Sequence, residues 1–440
     1  MMNGDATFVA PATPYGHSGL AVVRINGPES LAVVQKLAPK IKGDDRKAVL
    51  SKIHTTSGEL IDECVVTYFK SPKSYTGDDM VEISCHGSPS IVDILLEQIL
   101  SFGVRSAEPG EFTKRAFLNG KIDLIQSEAI ASLIQSKTSS SAKINSNTLD
   151  GLLSKTLKLL SKKQIVLLGE IEHALDISED EVSEKFLDHC RSEVSTLKGR
   201  FDNLLSTYNV GKLLNDGICV TITGKPNVGK STLLNQLSGL EKALVSNQPG
   251  TTRDLVEVML DLDGIPIRFV DTAGIHQTDD KLENMGIDKA VKMINKSDLV
   301  LYVSDDINCK FSINYDVPYI KIINKIDLHK STLKDNSIIH ISAKNGQNVD
   351  ILLKKIKKAL MINTISSSTP HLTTLRQKEA LSLCLEDLKA ALQSLNEVRP
   401  NLEIVALELR SSLNSLESLL GKTTADDIMN TVFAKMCVGK

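Results

Sequence analysis

Gly224-Lys225-Pro226-Asn227-Val228-Gly229-Lys230-Ser231 fits the spacing G-x-x-x-x-G-K-[ST] of a phosphate loop. Upstream, Ile218 to Thr223 is a short apolar, β-branched run that reads as a buried strand, and downstream Leu233 to Leu237 suits a helix. Strand, glycine-bearing turn and helix are the context such a loop requires. Backbone N–H groups and the helix N-terminus would then cradle phosphate oxygens. Lys230 would neutralise the outer phosphates and Ser231 would ligate Mg²⁺. Asn227, Val228, Gly229, Lys230, Ser231 and Thr232 are the expected nucleotide-binding residues here.

Three companion motifs follow in order. Thr251-Thr252-Arg253-Asp254 stands where a GTPase keeps its first switch, with Thr252 as the candidate second hydroxyl ligand of Mg²⁺. A hairpin comes next: Val256 to Leu262, the turn Asp263-Gly264, and Ile265 to Val270. It leads into Asp271-Thr272-Ala273-Gly274, where Asp271 can reach Mg²⁺ through water and the Gly274 amide can sense a γ-phosphate. Asn324-Lys325-Ile326-Asp327 follows the apolar run Ile320 to Ile323. The two acceptors of the Asp327 carboxylate match the N1–H and exocyclic amine of guanine, a donor pair that adenine lacks. Ser342-Ala343-Lys344, after Ile338 to Ile341, would contribute backbone contacts to the base. Together these motifs specify a guanine-nucleotide domain. Ile275 occupies the place of a water-orienting Gln, so another group must orient the attacking water. Glu283 is the nearest plausible carboxylate.

A chain of 440 residues, 41% hydrophobic and 24% charged, is long enough for several domains with their own cores. Lys and Arg number 51 against 54 Asp and Glu, a net charge of -3, which is not the balance of a dedicated nucleic-acid binder. The seven cysteines are scattered, without a C-x-x-C pair, and suggest neither a zinc ribbon nor a disulfide framework. No apolar run approaches membrane-spanning length and no signal-peptide pattern opens the chain, so a cytoplasmic protein without membrane contact is expected.

Four segments are expected around the nucleotide motifs. Residues 1–119 read as a small α/β module, with strands at Leu20 to Ile25, Glu63 to Phe69 and Met80 to Cys85 and helices at Ser30 to Leu37 and Ile91 to Ile99. Residues 120–212 carry helical stripes, among them Leu187, Cys190, Val194, Leu197, Phe201 and Leu204. Residues 213–365 form the nucleotide domain. Residues 366–440 return to helix, with stripes Leu381 to Leu395 and Leu402 to Leu420. The fold class is therefore α/β plus all-α: an N-terminal α/β domain, then a helical domain split by an inserted Ras-like P-loop domain.

Further stretches carry a resemblance to one family: Ala12-Thr13-Pro14, Gly19 to Arg24, Tyr75 to Glu82 with Cys85-His86-Gly87, Pro109 to Lys121, and the terminal Cys437-Val438-Gly439-Lys440. In these the chain resembles the tRNA modification GTPase family MnmE (TrmE) over essentially its whole length. The resemblance implies an N-terminal domain that forms a homodimer and binds 5-formyltetrahydrofolate or methylenetetrahydrofolate through Arg24, Glu82, Lys121 and Lys440. It implies a K⁺ ion held by Asn227, Ser246, Gln248 and Thr251, and a catalytic role for Glu283. It further implies a heterotetramer with an FAD-containing partner similar to MnmG (GidA), in which GTP hydrolysis accompanies addition of a carboxymethylaminomethyl or aminomethyl-type group to C5 of the tRNA wobble uridine. Cys437 lies on a tail that reads as helical from Asp426 to Met436 and N-capped by Thr424. If that tail reaches the folate-like pocket, its thiolate could act as nucleophile or proton carrier. The chain departs from the family's usual pattern at Tyr15, His17, Ser18, Ser88 and Gln248.

A rival reading is a regulatory RNA-binding GTPase of the ribosome-assembly kind, which shares the nucleotide motifs. The N-terminal module and Cys437-Val438-Gly439-Lys440 separate the two. A third reading makes that module a dimerisation platform without a ligand.

Overall fold

The computed structural model describes residues 6–176, 182–240, 243–244, 257–271, 293–307, 309, 317–328, 337–360, 369–422 and 426–439. The chain divides into two compact units: Met1–Ala131, Thr148–Phe201 and Glu379–Lys440 form one, Ser132–Asn147 and Asp202–Lys378 the other.

The first unit begins with a six-stranded sheet of β1 (Phe8–Pro11), β2 (Ser18–Asn26), β3 (Ala48–His54), β4 (Leu60–Phe69), β5 (Met80–Gly87) and β6 (Arg105–Ser106), in the order β3-β4-β5-β2-β1-β6. All pairs are antiparallel except β1 with β6. Alternation sets the faces: Ala21, Val23 and Ile25 of β2 point inward with Ile83 and Cys85 of β5, against Val34 and Leu95 of the helices Ser30–Leu37 and Pro89–Leu100. The strands and helices expected in residues 1–119 are present. The short β1 and β6 carried too little local pattern to be anticipated, and the seven-residue β3 was also missed.

The helical part contains Leu152–Leu175, Glu184–Ser206, Leu375–Leu395 and Leu402–Leu420. Stripe residues Leu153, Leu157, Leu160, Cys190, Val194, Phe201, Leu388, Leu395, Leu409 and Leu416 are all buried. The buried Gln164 amide donates to the Leu409 carbonyl at 2.9 Å, so packing of these helices is tied at one defined level. Asn401 caps Leu402–Leu420, its side chain accepting from the N–H groups of Glu403 and Ile404. Among the described residues no helix is long and apolar enough to cross a membrane.

The second unit holds a seven-stranded sheet of β7 (Ile218–Thr223), β8 (Ala243–Leu244), β9 (Glu257–Leu262), β10 (Ile265–Asp271), β11 (Leu299–Ser304), β12 (Tyr319–Ile323) and β13 (Ile338–His340), in the order β13-β12-β11-β7-β10-β9-β8. From β13 to β10 every pair is parallel, and the pairs β10–β9 and β9–β8 are antiparallel. Both faces are covered, so β7 and β10 to β12 are runs of buried Val, Ile, Leu and Phe. The expected Asp-Gly hairpin joins β9 to β10, with Asp263 and Gly264 both at positive φ, 55° and 91°. In such a sheet ligands bind beyond the carboxyl ends of the strands. The ends of β7, β10, β12 and β13 carry the nucleotide motifs.

The N-terminal sheet also contains a titratable lock. Burial alone would raise the Glu111 carboxyl, but hydrogen bonds from the Arg105 guanidinium and the Glu108 backbone N–H hold it below the usual range. A group with a lowered folded pKa contributes stability above its unfolded value, about 4.3, and loses it as pH falls through the folded one. Glu111→Gln should therefore lower the melting temperature at pH 7, and the deficit should shrink as pH drops below about 4.3. Thermal melts across that range decide it; a pH-independent deficit would show that the charge plays no part.

Candidate functional site

The turn after β7 is shaped by backbone that few residues tolerate. Gly224 has φ +149°, and a Cβ there would sit 2.1 Å from the Val303 carbonyl oxygen. Gly229 has φ +97°, and its Cβ would sit 2.3 Å from Nδ2 of Asn324. Asn227, between them, is left-handed at φ 63° and exposed. Gly229 caps the helix Lys230–Ser238, whose first N–H groups open onto the loop.

Lys230 is buried, and its ammonium donates to the carbonyls of Gly224 at 3.0 Å and Lys225 at 2.9 Å. Burial pushes its pKa down, and the nearby Asp271 carboxylate opposes that shift. A cation bound to loop carbonyls can exchange them for phosphate oxygens. Ser231 donates its hydroxyl to Oδ2 of Asp271 at 2.7 Å, so the end of β10 meets the start of the helix. Two hard oxygen donors at that spacing suit Mg²⁺, with Asp271 acting directly or through water.

At the other end of the site Asn324, buried after β12, does two jobs. Its amide Nδ2 donates to the Val228 carbonyl at 2.9 Å and its Oδ1 accepts from the Ala343 N–H at 2.9 Å. One side chain thus joins the phosphate loop to the loop after β13. Lys325, left-handed at φ 63°, sends its ammonium to the Asn227 carbonyl at 2.7 Å and to Oδ2 of Asp305 at 2.7 Å. Asp327 is exposed, with Oδ1 accepting from the buried Ser342 hydroxyl at 2.6 Å. That bond aims the carboxylate. Lys344 and Thr232 are exposed beside these groups.

A second constellation lies in the first unit. Arg24 of β2 faces Glu82 of β5 in register, and its Nε donates to Oε1 at 2.8 Å. The guanidinium also donates to the Gly439 carbonyl at 3.4 Å and lies 5.7 Å from the centre of the Tyr75 ring. Burial pushes the Tyr75 hydroxyl up, and that hydroxyl shares a 2.9 Å hydrogen bond with Thr113. The C-terminal tail reaches Arg24 because glycines let it pass. A Cβ on Gly439 would sit 2.1 Å from the Pro11 carbonyl oxygen, and one on Gly110 2.4 Å from that of Phe433. The tail helix is Asp426–Phe433, shorter than expected, because the chain turns out after Phe433 and the Gly110 N–H donates to the Cys437 carbonyl at 3.3 Å. Cys437 itself is exposed. Lys121 is exposed, and its ammonium donates to the Pro72 carbonyl at 2.9 Å.

A family model described as "MnmE helical domain" matches residues 124–437, and one described as "GTP-binding protein TrmE N-terminus" matches residues 7–121. A "tRNA modification GTPase MnmE" of Carboxydothermus hydrogenoformans is 37% identical over 99% of this chain and 100% of its own length. That of Thermotoga maritima is 38% identical over 99% of this chain and 100% of its own. The chain belongs to the MnmE family of tRNA modification GTPases. The G domain of the T. maritima FeoB iron transporter covers 32% of this chain and 98% of its own at 23% identity, with a TM-score of 0.24, too low to carry any argument.

For this MnmE-family chain, Asn227, Val228, Gly229, Lys230, Ser231, Asp271, Asn324, Lys325, Asp327, Ser342 and Ala343 come together at the carboxyl ends of β7, β10, β12 and β13, while Arg24 and Glu82 pair in the first unit. Ser246, Gln248, Thr251, Thr252, Thr272, Ala273, Gly274, Ile275, Glu283, Thr424 and Lys440 lie outside the described residues. Sequence reading passed over Asp305, whose signal is its place directly after β11, and the pair Tyr75 and Thr113, which sit inside quoted motifs without an assigned role.

Asn324→Ala would strand the Val228 carbonyl and the Ala343 N–H, both buried. Losing those bonds costs about 2 kcal/mol or more, so guanine-nucleotide affinity should fall roughly 30-fold. Titration with a fluorescent GDP analogue measures it; unchanged affinity would mean that the two loops hold their positions without this amide.

Proposed function

We propose that this chain is the K⁺-dependent GTP-hydrolysing component of a complex that installs a carboxymethylaminomethyl or aminomethyl-type group at C5 of the tRNA wobble uridine. The observation that carries the reading is the meeting of the C-terminal tail with Arg24, beside the Glu82 carboxylate and the Tyr75 ring. A guanidinium donor next to a carboxylate acceptor suits a ring edge bearing both C=O and N–H groups, as a folate pterin does. Arg24 and Glu82 therefore suit a tetrahydrofolate, which Lys121 and Lys440 would help to hold. Such a cofactor, as the 5-formyl or methylene form, would supply the one-carbon unit. Cys437, exposed on the tail, would be the thiol that acts as nucleophile or proton carrier.

In the nucleotide domain, Lys230, Ser231 and Asp271 serve the phosphates and Mg²⁺, with Thr252 as the second hydroxyl ligand. Gly274 would sense the γ-phosphate, with Thr272 and Ala273 beside it, and Glu283 would orient the water in place of the missing Gln. Asn324, Lys325, Asp327, Ser342, Ala343 and Lys344 hold the base. Asn227 would bind K⁺ with Ser246, Gln248 and Thr251; its exposed amide and left-handed backbone suit a ligand offered outward. The working unit in this reading is a cytoplasmic homodimer that joins an FAD-containing partner and tRNA. Its domains are 1–119, 120–212, 213–365 and 366–440.

Two measurements test the reading. GTP hydrolysis should run much faster in K⁺ than in Na⁺, and Asn227→Ala should abolish the difference; equal rates in the two salts would exclude the ion. Cells carrying only Cys437→Ser should retain hydrolysis by the purified protein and lose the wobble-uridine modification from their tRNA nucleoside profile. A normal profile would remove Cys437 from the chemistry. Loss of hydrolysis would mark it as structural. A profile unchanged even when the whole protein is absent would favour the ribosome-assembly alternative.

A further inference from the structure

The turn that follows β11 contributes a group that no nucleotide motif names. Ser304 ends β11 opposite Ile323 of β12, its carbonyl accepts from the Asn324 N–H at 2.7 Å, and its hydroxyl accepts from the Asp306 N–H at 3.1 Å. The backbone on both sides of Asp305 is therefore fixed. Its carboxylate accepts from the Lys325 ammonium at 2.7 Å, and the same ammonium donates to the Asn227 carbonyl at 2.7 Å. Asp305, Lys325 and Asn227 thus form one chain that runs from a strand end to the summit of the phosphate loop.

We propose that Asp305 is a positioning residue for the phosphate loop, acting through Lys325. A lysine side chain has four rotatable bonds and is costly to order. With its ammonium held by Asp305, Lys325 keeps a donor on the carbonyl of Asn227, whose backbone is left-handed. Lys230 cannot substitute, because its ammonium is turned to Gly224 and Lys225 inside the loop. The ion pair is about one-third exposed on each side, 34% and 39%, so its effect is modest and resides in loop geometry more than in raw attraction.

The test is the dissociation rate of a fluorescent GDP analogue from the full-length protein in Na⁺ and Mg²⁺, conditions in which the potassium reading plays no part. Asp305→Ala should speed release about two- to fivefold, and Asp305→Glu should restore most of the wild-type rate. In a Lys325→Ala background, Asp305→Ala should add nothing, because the chain is already cut. Unchanged release, or the same acceleration with and without Lys325, would overturn the proposal. If thermal melts show that Asp305→Ala is unfolded, Asp305→Asn takes its place, with the same double-mutant comparison. A second arm rests on Asn227 as a K⁺ ligand: there, Asp305→Ala should raise the K⁺ concentration that half-activates hydrolysis. A wild type indifferent to K⁺ refutes that earlier reading, and the dissociation arm still decides this one.

Discussion

The nucleotide end of this molecule depends on one buried amide. Asn324 spends both faces of its side chain on backbone, one on the phosphate loop and one on the loop after β13. Neither loop can be covered by regular sheet hydrogen bonds at the point where it must face a ligand. A buried N–H or carbonyl without a partner costs free energy comparable to a lost hydrogen bond, so the residue that satisfies both also sets the distance between the two loops. Gly229 makes room for it, since any side chain there would strike the amide nitrogen. The left-handed backbones of Asn227 and Lys325 on either side fit the same pattern, with local strain collected where a ligand must be met.

The first unit is held by a different device. Its open sheet offers Arg24 and Glu82 as a paired donor and acceptor, and the chain's own terminus is brought over them. Phe433 and Met436 are buried with Leu124, against the half-buried Phe117, which anchors the tail by apolar contact. Gly110 and Gly439 then allow backbone to approach backbone. Cys437 is left outside while its neighbours are held. A core role for that thiol is excluded by its exposure.

How much of this was legible in the sequence follows from contact range. The phosphate loop, the Asp-Gly hairpin and the leucine stripes depend on residues within a turn or two of one another, and each appears where its pattern predicted. The pairing of β1 with β6 and the docking of the tail depend on contacts that no local period encodes; Arg24 and Gly439 are 415 residues apart. The tail helix illustrates the limit. Its apolar and helical signals continue to Met436, but bonding to Gly110 draws the backbone out after Phe433. Asp305 escaped notice because a carboxylate after a strand is unremarkable until the lysine it holds is seen reaching the phosphate loop.

The central claim is that the motifs around Asn324 assemble a site for guanine in particular. Asp327, aimed by Ser342, carries that claim. Titration of Asp327→Asn with GTP and XTP tests it most directly. An amide in place of the carboxylate donates where guanine also donates, and a site built for specific hydrogen bonds rejects such a mismatch by about 10⁴-fold. The account predicts that the variant loses GTP and binds XTP. Undiminished affinity for GTP would contradict it and remove Asp327 from the base site.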